Sequence, residues 1–558
     1  MSTYRGSPGS GRPGRRSRWL LAGGLMAGTL VVGAAGVTAV ASATENNTPA
    51  SSPERPAAMY SDVPGVPDAS PDPDSERQRP DQQRPDQQRP DQQRPDQQRP
   101  DRQRPEWRHD GGEPDGGWDG RRDGAATGRG DDASADRPAR NGRPSRAETI
   151  KVPCDSARLI AALVRANAEG GATLRLAEEC TYTLTHAFAQ VDEYDGGIRD
   201  AREAADAAET PGDAEAPPRD PADDKAGLPV IYHGITIEGS GASIVRAADA
   251  EEFRFFTVRD GGELTLRDVT LRNGRSKVEG GSLFVVHGAT AVVEGVTVVN
   301  STSLSAEGGG GGIFNDGNLQ ISDSRLIGNR AAGAQGKGGG LLNGGVMTMH
   351  RTEFRHNSAV SYGGGLANFR AAGDVYSSTF VQNNAGQGGG LASFSARTKV
   401  FDSAVIGNSA QTGGGLANSD AVLVLRQMTI RDNLAAVAGG GISTVQGLLP
   451  LDDSVIQNNT TRGNGGGIYA EKSNLLVRGS DVQDNAAVGP QSLGAGLFVT
   501  AGTASLYRSQ VTGNRATGQA GGVHVERAQI KIDDDTVVIE NSPTNCEGSR
   551  VPVAHCFR

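Results

Sequence analysis

The sequence predicts an all-β parallel β-helix, and two recurring features carry that prediction. A glycine turn followed by an aliphatic residue recurs about every 25 to 29 residues, from Ile313 and Leu341 through Leu366, Leu391, Leu416 and Ile442 to Ile468, Leu497 and Val523. An asparagine keeps step with it at 329, 357, 383, 408, 433, 459, 485, 514 and 541. A fixed period in this range is the mark of a repeat architecture.

Each repeat holds three short apolar stations. One follows the glycines, one lies eight residues before the asparagine (Ile321 to Leu506), and one lies three before it (Leu326 to Val538). None is long enough for a helix, and segments such as NLQIS alternate like strands. Serine, aspartate, asparagine and glycine between them are turn formers. Such strands bury their apolar sides only by stacking coil on coil at about 4.8 Å. The glycines suit corners with φ > 0, and the asparagines suit a stacked ladder. Asn273 and Asn300 extend the asparagine series upstream. The helix then spans 227–541, roughly twelve coils and roughly 55 Å.

Both ends need covers, because open strand edges invite aggregation. In 151–185, DSARLIAALVRANAEGG reads as an amphipathic capping helix: Leu159, Ile160, Leu163 and Val164 share a face, Asp155 caps it, and Gly170 and Gly171 end it. The four cysteines fall in two local pairs at opposite ends, Cys154 with Cys180 and Cys546 with Cys556. That placement favours one bridge per end and makes 542–558 a disulfide cap. Structural disulfides imply export.

The N-terminal region agrees. Five arginines precede an apolar run from Trp19 to about Val40 and an Ala41-Ser42-Ala43 cleavage pattern. Residues 1–43 therefore read as a signal peptide, and the length of the run also fits a single-pass membrane anchor through residues 19–41. Residues 44–150 form a disordered linker rich in Pro, Arg, Asp and Gln, with RPDQQ repeated so that proline interrupts any helix or ladder. Arg129-Gly130-Asp131 arises within that composition and carries no separate reading. Residues 186–226 hold twelve acids against four bases, most of the formal −10 of the chain, and read as an acidic insertion loop. No basic stripe appears, which argues against nucleic acid as a partner.

The glycine-plus-aliphatic turns and the tetrads FRHN (354–357) and FVQN (380–383) resemble the repeats of polymorphic outer-membrane proteins. They also resemble exported bacterial β-helix proteins of the pectate-lyase-like superfamily. The resemblance covers about 150–558 and implies a right-handed parallel β-helix of roughly twelve coils. It implies adhesin-like surface binding on one side and polysaccharide lyase or glycoside hydrolase activity on the other. Most coils carry Leu, Val or Ile in place of the FxxN phenylalanine, and no C-terminal barrel pattern is present.

Glycoside hydrolysis needs two carboxylates about 5–5.5 Å or about 6.5–9.5 Å apart. Six residues before the asparagine stand Asp402 and Asp453, two coils and roughly 9.6 Å apart in this register. They are the catalytic pair of the enzymatic alternative, against a plain role as turn residues. Asp533-Asp534-Asp535 is a denser acidic group in the last coil. No metal-binding or cofactor motif is found. Aromatics make up 4% of the chain, and Tyr362, Phe369, Phe394, Tyr469, Phe498 and Tyr507 do not fall in one column. The expectation is a secreted or cell-surface protein with a structural or surface-binding role, its partner a cell-surface polysaccharide or protein.

Overall fold

One coil shows how the whole molecule is built. In the computed structural model, which describes residues 149–188 and 224–556, the coil that starts at Leu391 has four strands: Leu391–Phe394, Arg397–Phe401, Ala404–Ile406 and Ser409–Thr412. Its corners are Ser395, Asp402, Gly407 and Gly413, all with left-handed backbone (φ 45 to 64). The left-handed residue reverses the chain sharply, and each strand then pairs in parallel with its equivalent one coil away, as in Leu391↔Leu416, Val400↔Leu425 and Val405↔Ile430. The first two strands of each coil form a 23-stranded wide face, the third a 13-stranded asparagine face, and the last a 10-stranded short face. The stack has about 14 turns and almost no helix.

The apolar stations meet in the middle. Leu391, Val400 and Val405 are fully buried, as are their equivalents along the stack. Phe354 and Phe380 stack inside, with centroids 5.0 Å apart. Within a glycine triplet the labour divides. Gly413 takes φ +61, whereas Gly414 and Gly415 pack so closely that a Cβ would lie 2.4 and 2.8 Å from the carbonyl oxygens of Gly440 and Gly441. In this triplet glycine meets two different demands, a left-handed corner and close backbone contact, while alanine stands at equivalent positions as Ala495 and Ala520 in later coils.

Buried polar ladders lock the register. The backbone N–H of Asn383 donates to Asn408 Oδ1 (2.8 Å), and that of Asn408 donates to Asn433 Oδ1 (2.9 Å). Asn408 Nδ2 also donates to Asn433 Oδ1 and to the Phe380 carbonyl. The chain of bonds runs from Ser301, which donates to Asn329, to Asn541, which donates to Asn545. A parallel column of hydroxyls does the same at the preceding corner, where Ser378 N–H donates to Ser403 Oγ and Met428 N–H to Ser454 Oγ. A third ladder, Asn315 to Asn343 to Asn368, lies two residues beyond the first apolar station.

The ends match the expectation with three corrections. The helix is Ser156–Ala168, with Asp155 accepting from the Arg158 N–H. Its buried stripe is Leu159, Ala162, Leu163 and Ala166, while Val164 is exposed and Ile160 only half-buried. Strand Thr149–Val152 pairs in register with Gly171–Leu176, which pairs in turn with Gly234–Glu238, so the stack begins inside the segment expected to be only a cap. Asn273 and Asn300 sit at left-handed corners (φ 64 and 53), one residue before the ladder position, which Ser301 fills. Both disulfides form as expected, Cys154–Cys180 and Cys546–Cys556. The signal or anchor segment, nearly all of the linker and most of the acidic insertion lie outside the described residues.

The ladder makes a stability prediction. Asn408→Ala leaves the Asn383 N–H and the Phe380 carbonyl without their partner in a dry interior, which costs on the order of 3 kcal/mol. Exposed Asn384→Ala should cost less than about 0.5 kcal/mol. Thermal unfolding of the two variants should separate them clearly; equal melting temperatures would show that the ladder is not what holds the register.

Candidate functional site

Asp402 and Asp453 do occupy one column, with Gln427 between them. All three are exposed left-handed corners between the second and third strands (φ 48, 54 and 49). The same column holds Asp323, Arg351, Ser377, Gly479 and Arg508, all with positive φ. The position selects residues that tolerate this backbone, and aspartate is one of them. Their partners differ: Asp402 accepts from Ser377 Oγ (3.0 Å), and Asp453 faces Arg426 (3.6 Å). The structure does not draw the two carboxylates into a shared site. The acidic triplet is likewise divided. Asp533 accepts from the Thr536 hydroxyl, which chiefly holds it below the usual carboxylate range, and also from the Arg508 N–H, and Asp534 pairs with His555.

The outer surface of the wide face carries what the sequence reading missed. His350, Tyr376 and Phe401 occupy equivalent outward positions on three successive coils. Their ring centroids are 4.8 and 5.5 Å apart, with interplanar angles of 9° and 38°. The first pair is stacked and the second tilted, so the three rings form one continuous aromatic column. All three are half-buried. Each stands seven residues before a ladder asparagine, a position the asparagine ruler would have revealed. Between this column and the first strands, Lys399 faces Asp374 (3.4 Å), with exposed Arg397 on the same strand. A second pair of stacked rings, Phe369 and Phe394 (4.9 Å, 10°), lies at the end of the first strands, with Tyr362 against both. The six aromatics noted from sequence thus fall into separate groups, and Tyr469 pairs with Phe498.

Tyr469, Phe498 and His524 stack in the last coils, with centroids 5.5 and 5.3 Å apart. The Tyr469 hydroxyl donates to Glu471 Oε2 (3.0 Å). His524 Nε2 lies 3.3 Å from Glu526 Oε1, and Arg550 reaches the same carboxylate (3.5 Å). Glu471, Thr500 and Glu526 form the neighbouring outward column. Burial, reinforced by the bond to Glu471, pushes the Tyr469 phenol up to about 12. Burial holds His524 below its ordinary value despite Glu526. The C-terminal segment lies alongside: Ser549 bonds the Val523 carbonyl and the Val525 N–H. Among the described residues, no three His, Cys, Asp or Glu side chains stand close enough to hold a metal ion.

Residues 370–541 match the family described as right handed beta helix region. Among solved structures, the chain is similar to the A-module of mannuronan C-5 epimerase AlgE4 of Azotobacter vinelandii, at 14% identity and a TM-score of 0.32, covering 68% of this chain and 91% of that one. It is similar also to the AlgE6 A-module of the same organism, at 12% identity and a TM-score of 0.31, covering 71% and 96%. No curated protein matches.

Two predictions follow from the site geometry. Asp402→Gly should leave stability within about 0.5 kcal/mol of the parent, because glycine takes the left-handed corner without strain; a large loss would mean the carboxylate does more than turn the chain. Burial holds the pKa of folded His524 below its ordinary 6.5. The unfolded chain therefore takes up a proton first, and stability present above about 6.5 is lost as the pH falls below it. Melting curves from pH 7.5 to 5.5 should fall more steeply for the parent than for His524→Phe; parallel curves would remove His524 from the account.

Proposed function

We propose that this chain is an exported or cell-surface β-helix that binds an extended polysaccharide along the outer side of its wide face. The ring column His350–Tyr376–Phe401 carries the reading. Half-buried rings repeat at the coil spacing, so successive sugars of a chain laid parallel to the stack can each meet one. The outward parts of the rings give apolar contact with the C–H groups of sugars, and the flanking Lys399, Asp374 and Arg397 supply hydrogen bonds to hydroxyls. The fold supplies the length and rigidity, since each coil is fixed by its neighbours. Export is supported by the two disulfides and by the N-terminal pattern.

The enzymatic alternative, a polysaccharide lyase or glycoside hydrolase, has one supporting observation. Glu471 and Glu526 stand two coils apart in one outward column, roughly 9.6 Å between Cα atoms, near the separation of an inverting pair. This is a better placed pair than Asp402 and Asp453, because both carboxylates are half-buried and hydrogen-bonded.

A panel of soluble polysaccharides tests both. The parent chain should retain at least one of them, and Tyr376→Ala with Phe401→Ala should weaken retention tenfold or more, about 1.4 kcal/mol. Unchanged retention in that double variant would sink the ring-column reading. Release of shortened products by the parent, abolished in Glu471→Gln and Glu526→Gln, would establish the enzymatic alternative instead.

A further inference from the structure

The Tyr469–Phe498–His524 stack is bordered by two carboxylates that the chain matches only loosely. Glu471, Thr500 and Glu526 stand on three successive coils, outward on the wide face, with the two glutamates roughly 9.6 Å apart at their Cα atoms. Both are half-buried, and the negative charge of both reaches the Tyr469 phenol, so they overlook one patch. The chain brings a cation to each. Arg550 Nε lies 3.5 Å from Glu526 Oε1, and Lys472 Nζ lies 3.6 Å from Glu471 Oε1, both longer than a good hydrogen bond. These cationic side chains are 72% and 59% exposed, and pairs of that kind are weak. His524 is a second sign. It is 2% exposed, its Nε2 turns to Glu526, and its Nδ1 is buried without a hydrogen-bond partner. With Nε2–H donating to Glu526, Nδ1 is an acceptor. The patch holds more acceptors than the chain supplies with donors.

These features narrow the choice of occupant. A ligand that answers them donates hydrogen bonds and carries positive charge, as a protonated amine does with its three N–H groups. Carboxylates on coils two apart suit a ligand that repeats its charge along the stack. The backbone is closed to a peptide joining as an added strand. Val523 N–H donates to the Asn545 carbonyl, and the Val525 carbonyl accepts from the N–H groups of Arg550 and Val551. A sugar chain needs no such edge. Laid along the stack with one sugar per coil, it brings amines on alternate sugars to Glu471 and Glu526.

We infer that Glu471 and Glu526 bind the protonated amines of an amino-sugar chain, and that Arg550 and Lys472 are the built-in cations it displaces. The sugar part rests on the polysaccharide reading of the wide face; the amine part does not. The full chain is titrated by calorimetry with a glucosamine tetramer, its fully N-acetylated counterpart and tetralysine, at low ionic strength and mildly acidic pH. The glucosamine tetramer should bind and the N-acetylated one should not, because acetylation removes the charge and keeps the sugar rings. Glu471→Gln with Glu526→Gln should weaken binding about tenfold or more, whereas Asp432→Asn with Asp484→Asn, an equal charge change at exposed corners, should not. Arg550→Ala and Lys472→Asn should each tighten binding about threefold, since each removes a competitor, and asparagine suits the left-handed corner at 472. A purely structural role for these pairs predicts no such gain. Circular dichroism and melting temperature identify the folded variants, and if the glutamate double variant does not fold, the two gains decide. Failure of the ring column would show with neutral polysaccharides, whereas failure here shows in the dependence on amines. The inference is overturned if the N-acetylated tetramer binds equally well, if tetralysine binds more tightly than the glucosamine tetramer, if neither competitor variant gains affinity, or if the folded glutamate double variant binds as the parent does.

Discussion

The structure depends on one constraint, which is that every coil must end in register with the next. A buried asparagine at the corner after the third strand enforces it. Its side-chain oxygen takes the N–H of the preceding coil's asparagine, and its side-chain amide reaches the next coil's asparagine and a core-strand carbonyl. A coil that slipped by one residue would leave these groups unpaired in a dry interior and turn its apolar side chains outward. The serine column and the glycine corners work to the same end. The glycine triplets allow the backbones of successive coils to touch where side chains would hold them apart.

Registration inside dictates columns outside. Because equivalent residues lie one strand spacing apart, each outward position becomes a line along the stack. Charges in those lines alternate and pair across coils, as in Arg351 with Asp323 and Arg478 with Asp452. These exposed pairs add little stability individually. Rings in those lines stack, and where three fall together they make a surface of a kind isolated aromatics do not. The same register that holds the core therefore produces the ring column.

The fold was legible because its cause is periodic. Glycine and asparagine recur for steric and hydrogen-bonding reasons that act in every coil, so the stations counted from them, Val400 and Val405 among others, fell where expected. The ruler failed where an adjacent residue of the same type misled it. Asn273 and Asn300 are asparagines at the corner next to the ladder, and only pairing across coils distinguishes the two positions. The stack also begins earlier than the repeat pattern does, because Thr149–Val152 and Gly171–Leu176 pair like coils without the glycine and asparagine marks. The site was less legible. Position −6 from the asparagine drew attention because it holds carboxylates, yet that position is a left-handed corner. Position −7 points outward and holds His350, Tyr376 and Phe401. Side-chain direction decides which column a ligand can meet, and residue type alone does not carry it.

A crystal structure of the chain with a bound oligosaccharide from the best-retained polysaccharide tests the central claim most directly. The account predicts sugar rings lying along the stack over His350, Tyr376 and Phe401, with successive sugars on successive coils. A ligand lying across the coils, or seated away from these three rings on the wide face, would contradict it.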